Sequence, residues 1–391
     1  MNIALLSQQP FPGGSASASY ILNICRIMKS CGHNVTVFGC RRRRYGEYAL
    51  NGEFDGIRYF NYDAENRSKL ITYLYDSYYG LYAISQLSRL KKTNLVVLFG
   101  LSVRASATVR AYCKLKGMKL ATVSCEWYTE DSFSPSIKRG IVRDKVNLIP
   151  YLAKNVDAAI GISTLLTGYY RDNGVNSVMI PNVVDLTDEK WQVRAEVPDD
   201  GKLKIAYAGV PGVGKDELGT VVRAIGMLPE EMRLRTELNV YGMDEKGMAN
   251  YLRACGVGDC VPPYVICHGR QDQDVIPARL NECHYTVLIR KSTLRTNAGF
   301  STKMVESFSA GIPFIANITG DIADYLKNGV NGVVVADETA EACRDALVYA
   351  WELRDSNSEL RRAAYRTAEE NFDYRLYKAA MKEFFGKINI K

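Results

Sequence analysis

The stretch 208–217, AGVPGVGKDE, has residue types and spacing that suggest anion binding. Gly209, Gly214 and Lys215 have the GxxxxGK spacing of a phosphate-binding loop that precedes a helix. The next position is Asp216, whereas nucleoside triphosphatases have a Ser or Thr whose hydroxyl binds Mg²⁺. A glycine-rich turn, a helix N-terminus and a lysine suit a diphosphate instead. We therefore expect a diphosphate site here and do not expect a nucleoside triphosphatase.

A second polar stretch, residues 288–317, combines cations with a helix start. A predicted strand ends at Arg290, and a helix is predicted over 301–310 because Gly311 and Pro313 follow it. Backbone N–H groups at such a start point toward an anion. The residues around it that we expect to contact a diphosphate or sugar are Gly299, Phe300, Ser301, Thr302 and Lys303.

Lys303 and Glu306 lie three residues apart and therefore on one face of the predicted helix. An exposed salt bridge on an ordinary helix has the same spacing. Because Arg290 and Gly299 flank this helix, we favour groups that converge on an anion. The carboxylate of Glu306 would then accept hydrogen bonds from two sugar hydroxyls.

Two loops in the first half of the chain also follow predicted strands. PFPGGSAS contains Gly13 and Gly14, which either let the backbone approach a ligand closely or merely turn the chain. SCEWYTEDSF contains Glu126 and Trp127, a carboxylate and a ring that suit the hydroxyls and the face of a sugar. The alternative is a core tryptophan beside a loop-capping glutamate. We take both residues as candidates for acceptor binding.

Short apolar runs alternate with helical patterns along the whole chain. Strands are predicted at 2–7, 34–39, 94–100, 120–125, 156–163, 177–182, 204–209, 237–242, 264–269, 285–290, 313–317 and 332–337. These runs are apolar on both faces, which is typical of buried parallel sheets. The polar, aperiodic segment 186–202 is a predicted linker, and the chain after about 356 is predicted to be helical to its end. We therefore predict two doubly wound α/β domains, with ligands binding between the carboxyl ends of their strands.

The composition is that of a folded protein. Of the 391 residues, 47% are hydrophobic and 24% are charged. No apolar run is long enough to span a bilayer and the N-terminus has no basic leader, so we expect a cytoplasmic protein. The ten cysteines form no CxxC pair and the three histidines have no metal-ligand spacing. We expect neither disulfides nor a metal site.

The net charge of +7 lies in the first half of the chain. Residues 1–185 carry 23 Lys and Arg against 13 Asp and Glu, while 186–391 carry 27 against 30. Part of the excess lies on a predicted helix with Arg139, Arg143 and Lys145. A basic half suggests a membrane surface or a phosphorylated lipid as partner, although a solvated surface has the same pattern. No nucleic-acid motif accompanies the charge, so we expect no nucleic-acid partner.

As a set, these motifs resemble glycosyltransferase family 4, the retaining nucleotide-sugar transferases of GT-B fold. The resemblance covers nearly the whole chain through PFPGGSAS, GHNVTVF, AAIGISTLLTGYYRDNGVNSVMIPNVVD, YAGVPGVGKDEL, CHGRQDQDVIPARLNECHY and NAGFSTKMVESFSAGIPFIAN. The last motif looks like the NAGFxTKxVE variant of polysaccharide-assembly members. The resemblance implies an acceptor-binding Rossmann-like domain over 1–190, which a C-terminal helix over about 374–391 rejoins. A nucleotide-sugar-binding domain over 191–373 would face it across a cleft.

The resemblance also implies roles for individual residues. Glu306 would bind the ribose hydroxyls of the donor, and Lys215 would bind its diphosphate. The family's first motif glutamate falls on Ala298, and its usual arginine after the strand glycine falls on Val210. We expect Arg290 to supply the missing positive charge. Further contacts with the donor are expected from Gly14, His268, Gly269 and Arg270.

The activity implied by the resemblance is a retaining, metal-independent hexosyl transfer in polysaccharide biosynthesis. The donor would be a nucleotide-diphosphate sugar with uridine or guanosine, and no cofactor would be needed besides this co-substrate. The acceptor would be a glycan or a lipid-linked glycan, which suggests a peripheral enzyme at the inner membrane face. The alternatives are a sugar-nucleotide epimerase on the same scaffold and a non-catalytic nucleotide-sugar-binding protein.

Overall fold

The computed structural model describes residues 1–41, 49–63, 68, 70, 80–90, 92–192, 197, 200–212, 216–272 and 274–388. The chain divides into two compact units. Unit 1 comprises Met1–Val184, Ala298–Phe300 and Tyr374–Lys391, and unit 2 comprises Asp185–Asn297 and Ser301–Asp373. We expected the boundary after residue 190, and the structure divides the chain at Val184.

The strands of unit 1 are β1 (Asn2–Ser7), β2 (Asn34–Arg41), β3 (Asn51–Phe54), β4 (Ile57–Asp63), β5 (Leu95–Phe99), β6 (Lys119–Ser124), β7 (Ala158–Gly161) and β8 (Asn176–Met179). Within the described ranges they form one sheet in the order β3-β4-β2-β1-β5-β6-β7-β8. The neighbours pair in parallel, except that β3 and β4 form an antiparallel hairpin. The carboxyl ends of the parallel strands therefore meet at one edge of the sheet.

Among the described residues before 185, the helices are α1 (Ala16–Ser30), α2 (Leu81–Leu87), α3 (Val103–Lys116), α4 (Arg139–Val146), α5 (Leu148–Ala153) and α6 (Thr164–Asp172). Helix α1 shows why this sequence forms its elements where it does. The hydroxyl of Ser15 accepts a hydrogen bond from the backbone N–H of Ala18 and so caps the helix. The apolar stripe that includes Tyr20, Ile24 and Ile27 is fully buried in the core of unit 1.

Unit 2 contains β9 (Leu203–Ala208), β10 (Thr236–Tyr241), β11 (Val265–Cys267), β12 (Tyr285–Leu288), β13 (Phe314–Asn317) and β14 (Gly332–Val335). The described strands pair in parallel in the order β11-β10-β9-β12-β13-β14. This is the doubly wound order in which the winding direction reverses between β9 and β12. Ligands of such sheets bind at the carboxyl edge beside this reversal.

From residue 185 onward, the part of the chain that the structure describes contains the helices α7 (Leu218–Gly226), α8 (Glu230–Leu234), α9 (Glu245–Ala254), α10 (Ile276–Asn281), α11 (Leu294–Ala298), α12 (Thr302–Ser309), α13 (Ile322–Tyr325), α14 (Ala340–Glu352), α15 (Asn357–Asn371) and α16 (Lys378–Gly386). Helix α16 belongs to unit 1, where Met381, Phe384 and Phe385 are buried. The predicted return of the C-terminal helix to the first domain is therefore confirmed. Among the described residues, no helix combines the length and apolarity needed to cross a membrane.

The predicted α/β fold is confirmed, and each of the predicted strands is present. The hairpin β3–β4 was not predicted, because β3 is exposed along its whole length and β4 begins with alternately buried residues instead of a continuous apolar run. The prediction of a continuous helix from about 356 to the end is wrong. Helix α15 ends where Phe372 packs in unit 2, and the backbone N–H of Tyr374 then donates to the carbonyl of Val184 in unit 1.

Candidate functional site

The loops after β9 and β12 and the start of α12 bring three predicted site residues together in unit 2. Gly209 follows β9 and Arg290 follows β12, while Lys303 lies in the first turn of α12. Gly209 has φ +133°, and a Cβ atom built there would lie 3.3 Å from both Cε and Nζ of Lys303. Glycine is therefore needed at this position both for its backbone conformation and for the close approach of the lysine.

Asp216 connects these cations, although sequence reasoning gave it no role in binding. Its Oδ1 accepts a hydrogen bond from Nε of Arg290 at 2.8 Å, and its Oδ2 accepts one from Nζ of Lys303 at 2.9 Å. The hydroxyl of Tyr207 also donates to Oδ2, at 2.8 Å. Asp216 is 3% exposed and Arg290 is 8% exposed, so this is a largely buried ion cluster. We call Tyr207, Asp216, Arg290 and Lys303 the Asp216 cluster.

The electrostatics of the Asp216 cluster favour a charged carboxylate. Burial raises the pKa of Asp216, but Lys303 and Arg290 outweigh burial and hold that pKa well below its ordinary value. Burial, and then the charge of Asp216, raise the pKa of the Tyr207 hydroxyl, which therefore remains a donor. Two cations and one anion leave the cluster with a net charge of +1. Arg290, which we expected to supply the missing positive charge, forms an ion pair with Asp216.

The backbone of Arg290 is held by Asn317 at the end of β13. The side-chain amide of Asn317 accepts from the N–H of Arg290 at 2.9 Å and donates to its carbonyl at 2.7 Å. Asn317 is 3% exposed, so both hydrogen bonds lie inside the unit. The sequence carried a weak signal for this residue, since a polar side chain follows an apolar strand.

Glu306 lies on α12 three residues after Lys303 and is half-buried. Burial raises the pKa of Glu306, and the charges of Lys303 and Lys190 partly offset that rise. The ion pair made by Lys303 is with Asp216 rather than with Glu306. A simple surface salt bridge between Lys303 and Glu306 therefore does not account for their spacing.

The predicted residues at the start of α12 are divided between the two units. Ser301 caps the helix by accepting from the N–H of Met304, and it belongs to unit 2 together with Thr302 and Lys303. Gly299 and Phe300 belong to unit 1.

Ala298, at the position where the family that the sequence resembles has its first glutamate, also belongs to unit 1. It is fully buried, and its carbonyl accepts from the hydroxyl of Ser163 at 2.7 Å. Ser163, the N-cap of α6, was not singled out in the sequence, where it is one of several hydroxyl residues near a helix start.

His268, Gly269 and Arg270 follow β11 at the same edge of the sheet in unit 2. The ring of His268 stacks on that of Tyr241, with centroids 4.4 Å apart, and its Nε2 lies 2.8 Å from Oδ1 of Asn239. Gly269 accepts a backbone hydrogen bond from Gly242, while Arg270 is exposed. These predicted nucleotide contacts therefore share an edge with the Asp216 cluster.

The glycine loop of unit 1 is held by Asn61, a residue of the unpredicted strand β4. Asn61 accepts from the N–H of Phe11 at 3.0 Å and donates to its carbonyl at 2.8 Å. Gly14 has φ +102° and precedes the capping residue of α1, and Gly13 lies beside it. Sequence reasoning missed Asn61 because its partners lie about fifty residues away along the chain.

Glu126 and Trp127 directly follow β6 in unit 1. The Tyr128 hydroxyl donates to the carboxylate of Glu126, and the ring of Trp127 packs on that of Tyr169 with centroids 4.4 Å apart. Both residues are half-buried. The indole thus packs against a neighbouring ring, and both residues remain partly exposed.

Gly214 and Lys215, which we expected at the diphosphate site, fall outside the described residues. Within the part of the chain that the structure describes, no group of three or more His, Cys, Asp or Glu side chains lies close enough together to hold a metal ion.

A family model described as Glycosyl transferases group 1 matches residues 197–367, which is most of unit 2 and less than half of the chain. Among solved structures, sucrose-phosphate synthase from Thermosynechococcus elongatus is similar with a TM-score of 0.74 at 14% identity, covering 99% of this chain and 98% of that one. Anabaena HepE in complex with UDP is similar with a TM-score of 0.66 at 14% identity, covering 99% and 100%. The lipopolysaccharide outer core galactosyltransferase WaaB has a TM-score of 0.65 at 18% identity, covering 99% and 100%.

The chain has the GT-B fold. The neighbours cover it almost completely, and both of its units are doubly wound α/β units. At these identities the similarity concerns the fold alone. No curated protein sequence matches the chain significantly.

Proposed function

We propose that this protein is a retaining glycosyltransferase that moves a hexosyl group from a nucleotide-diphosphate sugar to a glycan or lipid-linked acceptor. The observation that carries the proposal is that Lys303 lies beside Gly209 and shares Asp216 with Arg290, at the carboxyl edge of unit 2, with Glu306 further along α12. The family match over unit 2 supports it. So do the solved complexes of the neighbour HepE with UDP and with UDP-glucose.

In the proposed reaction the bond between the anomeric carbon and the diphosphate oxygen breaks, and its electron pair goes to the diphosphate. The acceptor hydroxyl forms the new bond on the same face and passes its proton to the leaving phosphate oxygen. Lys303, Arg290 and the first N–H groups of α12 stabilise the negative charge that develops. Because these groups neutralise the leaving diphosphate, we propose a transfer that needs neither a metal ion nor a cofactor.

Glu306 is proposed to bind the ribose of the donor through two hydroxyl hydrogen bonds. Each hydrogen bond to a charged group is worth roughly 1.5–3 kcal/mol, so the loss of the charge should weaken donor binding about tenfold or more. We would measure the dissociation constants of UDP-glucose and GDP-mannose for the wild type and Glu306→Gln by calorimetry, after a thermal-shift survey of nucleotide sugars. Glu359→Gln, an exposed change on α15, is the matched control. Unchanged donor binding by Glu306→Gln would remove the ribose assignment.

A non-catalytic nucleotide-sugar-binding protein is the second candidate, because the buried Ala298 offers no carboxylate to a transferred sugar. The two functions differ in turnover. A transferase releases the nucleoside diphosphate from its donor, quickly with acceptor and slowly with water, whereas a binding protein releases none. Release of the nucleoside diphosphate from the best-binding donor, measured with and without glycan acceptors, distinguishes the transferase from the binding protein.

We further propose that the acceptor binds at Glu126 and Trp127 in unit 1 and that α4 contacts anionic lipid as a peripheral membrane element. No residue of α4 is buried, and Arg139 and Arg143 are exposed. Reversing both charges to Glu should reduce binding to phosphatidylserine vesicles about thirtyfold or more, since each basic residue adds about 1 kcal/mol near such a surface. Reversing the exposed Lys114 and Lys116 of α3 is the control, and equal binding by both variants would contradict the proposal.

A further inference from the structure

An ionised carboxylate occupies the place where the proposed donor diphosphate needs positive charge. Asp216 accepts from Arg290 with one oxygen and from Lys303 and Tyr207 with the other. A diphosphate bound to Lys303 or Arg290 must therefore share these cations with a negative charge that belongs to the protein.

Arg290 and Lys303 differ in how firmly they are held. The side chain of Arg290 is 10% exposed and its backbone is fixed by Asn317, so it stays on Asp216. The side chain of Lys303 is 21% exposed, and its ammonium lies over the ring of Tyr207 and close to Gly209. Lys303 is thus the cation that is able to turn from the carboxylate to a ligand at the glycine turn.

We infer that Asp216 is a built-in counter-ion that competes with the diphosphate for Lys303 and weakens the binding of donor and product. The inference rests on the proposed function and adds a residue that tunes the affinity of the same site. Asp216 would hold the two cations together while the site is empty. It would then repel the nucleoside diphosphate product once the sugar has left.

Two opposing effects of Asp216 on affinity can be compared in size. While Lys303 still donates to Asp216 at 2.9 Å, a phosphate oxygen that accepts from the same Nζ lies within about 6 Å of Oδ2 of Asp216, because the second hydrogen bond has about the same length. At that separation and a dielectric typical of partly buried sites, like charges weaken binding roughly ten- to a hundredfold. Ordering the lysine side chain beforehand strengthens binding only about two- to tenfold. The repulsion between Asp216 and the phosphate therefore outweighs the gain from ordering Lys303.

The repulsion also depends on the charge of the ligand. The sugar ester masks one ionisable oxygen of the terminal phosphate, so the free nucleoside diphosphate carries more negative charge than the nucleotide sugar. Asp216 should therefore weaken product binding more than donor binding. Removing its charge should tighten both, with the larger gain for the product.

The test compares dissociation constants of UDP and UDP-glucose for the wild type, Asp216→Asn and Asp216→Glu. We expect Asp216→Asn to bind UDP at least tenfold more tightly and UDP-glucose with a smaller gain. Asp216→Glu keeps the charge and should stay within about threefold of the wild type. Asp259→Asn removes an exposed ion pair with Arg253, in the loop before β11 at the opposite edge of the sheet, and should change nothing. Unchanged or weaker binding of UDP by folded Asp216→Asn would overturn the inference.

Asp216→Asn leaves two cations without their counter-ion and will lower stability. A crystal structure of the wild type with UDP does not depend on that variant. We expect Nζ of Lys303 within hydrogen-bond distance of a phosphate oxygen, and Arg290 still on Asp216. A phosphate held elsewhere, with Lys303 still on Asp216, would refute the competition.

The test also separates this inference from the proposed function. If the wild type binds none of UDP, GDP, ADP or pyrophosphate, the proposed donor site falls and the inference falls with it. If a nucleoside diphosphate binds but Asp216→Asn does not tighten it, only the inference falls. If GDP or ADP binds and UDP does not, the comparison uses that nucleoside diphosphate and its glucose ester in place of UDP and UDP-glucose.

Discussion

Replacing His284 by asparagine should remove a pH dependence of folding stability in unit 2. His284 lies immediately before β12 and is 6% exposed. Its Nδ1 accepts a hydrogen bond from the backbone N–H of Lys204 at 3.1 Å, and the backbone N–H of His284 donates to the carbonyl of Lys204 at 2.8 Å. A ring nitrogen that accepts is unprotonated, so the folded state holds a neutral imidazole.

Burial, and then the positive charges of Arg354, Lys204 and Arg361, lower the pKa of His284 to about 4. In the unfolded chain the pKa of histidine is about 6.5. Between these two values the unfolded chain binds a proton that the folded protein does not bind. The contribution of the neutral His284 ring to the free energy of unfolding is therefore fully present above about pH 6.5 and is lost as the pH drops toward 4. The full loss is at most about 3 kcal/mol, with about 2 kcal/mol of it between pH 7 and pH 5.

The assay is urea unfolding at pH 8, 7, 6 and 5, followed by tryptophan fluorescence, since Trp191 and Trp351 lie in unit 2. The Oδ1 of asparagine can still accept from Lys204 but does not titrate in this range. We expect His284→Asn to lose less stability on acidification than the wild type, by about 2 kcal/mol at pH 5. His33→Asn, at a less buried ring in unit 1, should retain the wild-type slope for unit 2. Parallel stability curves for the wild type and His284→Asn would refute the reasoning.

Two further predictions concern loops that sequence reasoning linked to ligand binding. Gly209→Ala should weaken nucleoside diphosphate binding at least fivefold, measured by calorimetry, because its Cβ would lie 3.3 Å from Nζ of Lys303 and its φ of +133° strains an alanine. Asn61→Ala should lower the free energy of unfolding by about 3 kcal/mol in urea titrations, because the buried N–H and carbonyl of Phe11 would both lose their partner.

Both predictions have matched controls. Gly256→Ala, at φ +65° with no atom within 4 Å of the new Cβ, introduces backbone strain without touching a cation and should leave binding unchanged. Asn173→Ala removes an exposed hydrogen bond to the carbonyl of Tyr169 and should cost less than about 1 kcal/mol. If Gly209→Ala binds nucleoside diphosphate as tightly as Gly256→Ala, ligand binding by Lys303 does not depend on a glycine at position 209. If Asn61→Ala is as stable as Asn173→Ala, the loop does not need its tether.

Much of the fold could be predicted because strands buried on both faces leave a local signal. β1, β5 and β9 contain the continuously apolar runs IALL, LVVLF and IAYA, and glycine or a polar residue follows each run. The same pattern predicted that Gly209, Arg290 and Lys303 would follow strand ends in one domain. The hairpin β3–β4 has no such signal, since its exposed strand depends on pairing with its neighbour.

The sequence alone determined the alternation of strands and helices, the two doubly wound units and the loops in which binding residues lie, because these depend on periodicity and on residue types close together in the chain. Only the tertiary structure decided which charges meet. Asp216 and Arg290 are 74 residues apart, and Asp216 and Lys303 are 87 apart. An ion pair of that span leaves no trace in local periodicity, since it forms only when parallel strands bring their carboxyl ends to one edge. Arg290 and Lys303, which the sequence predicted as ligand-binding cations, thus share the buried counter-ion Asp216 in the structure.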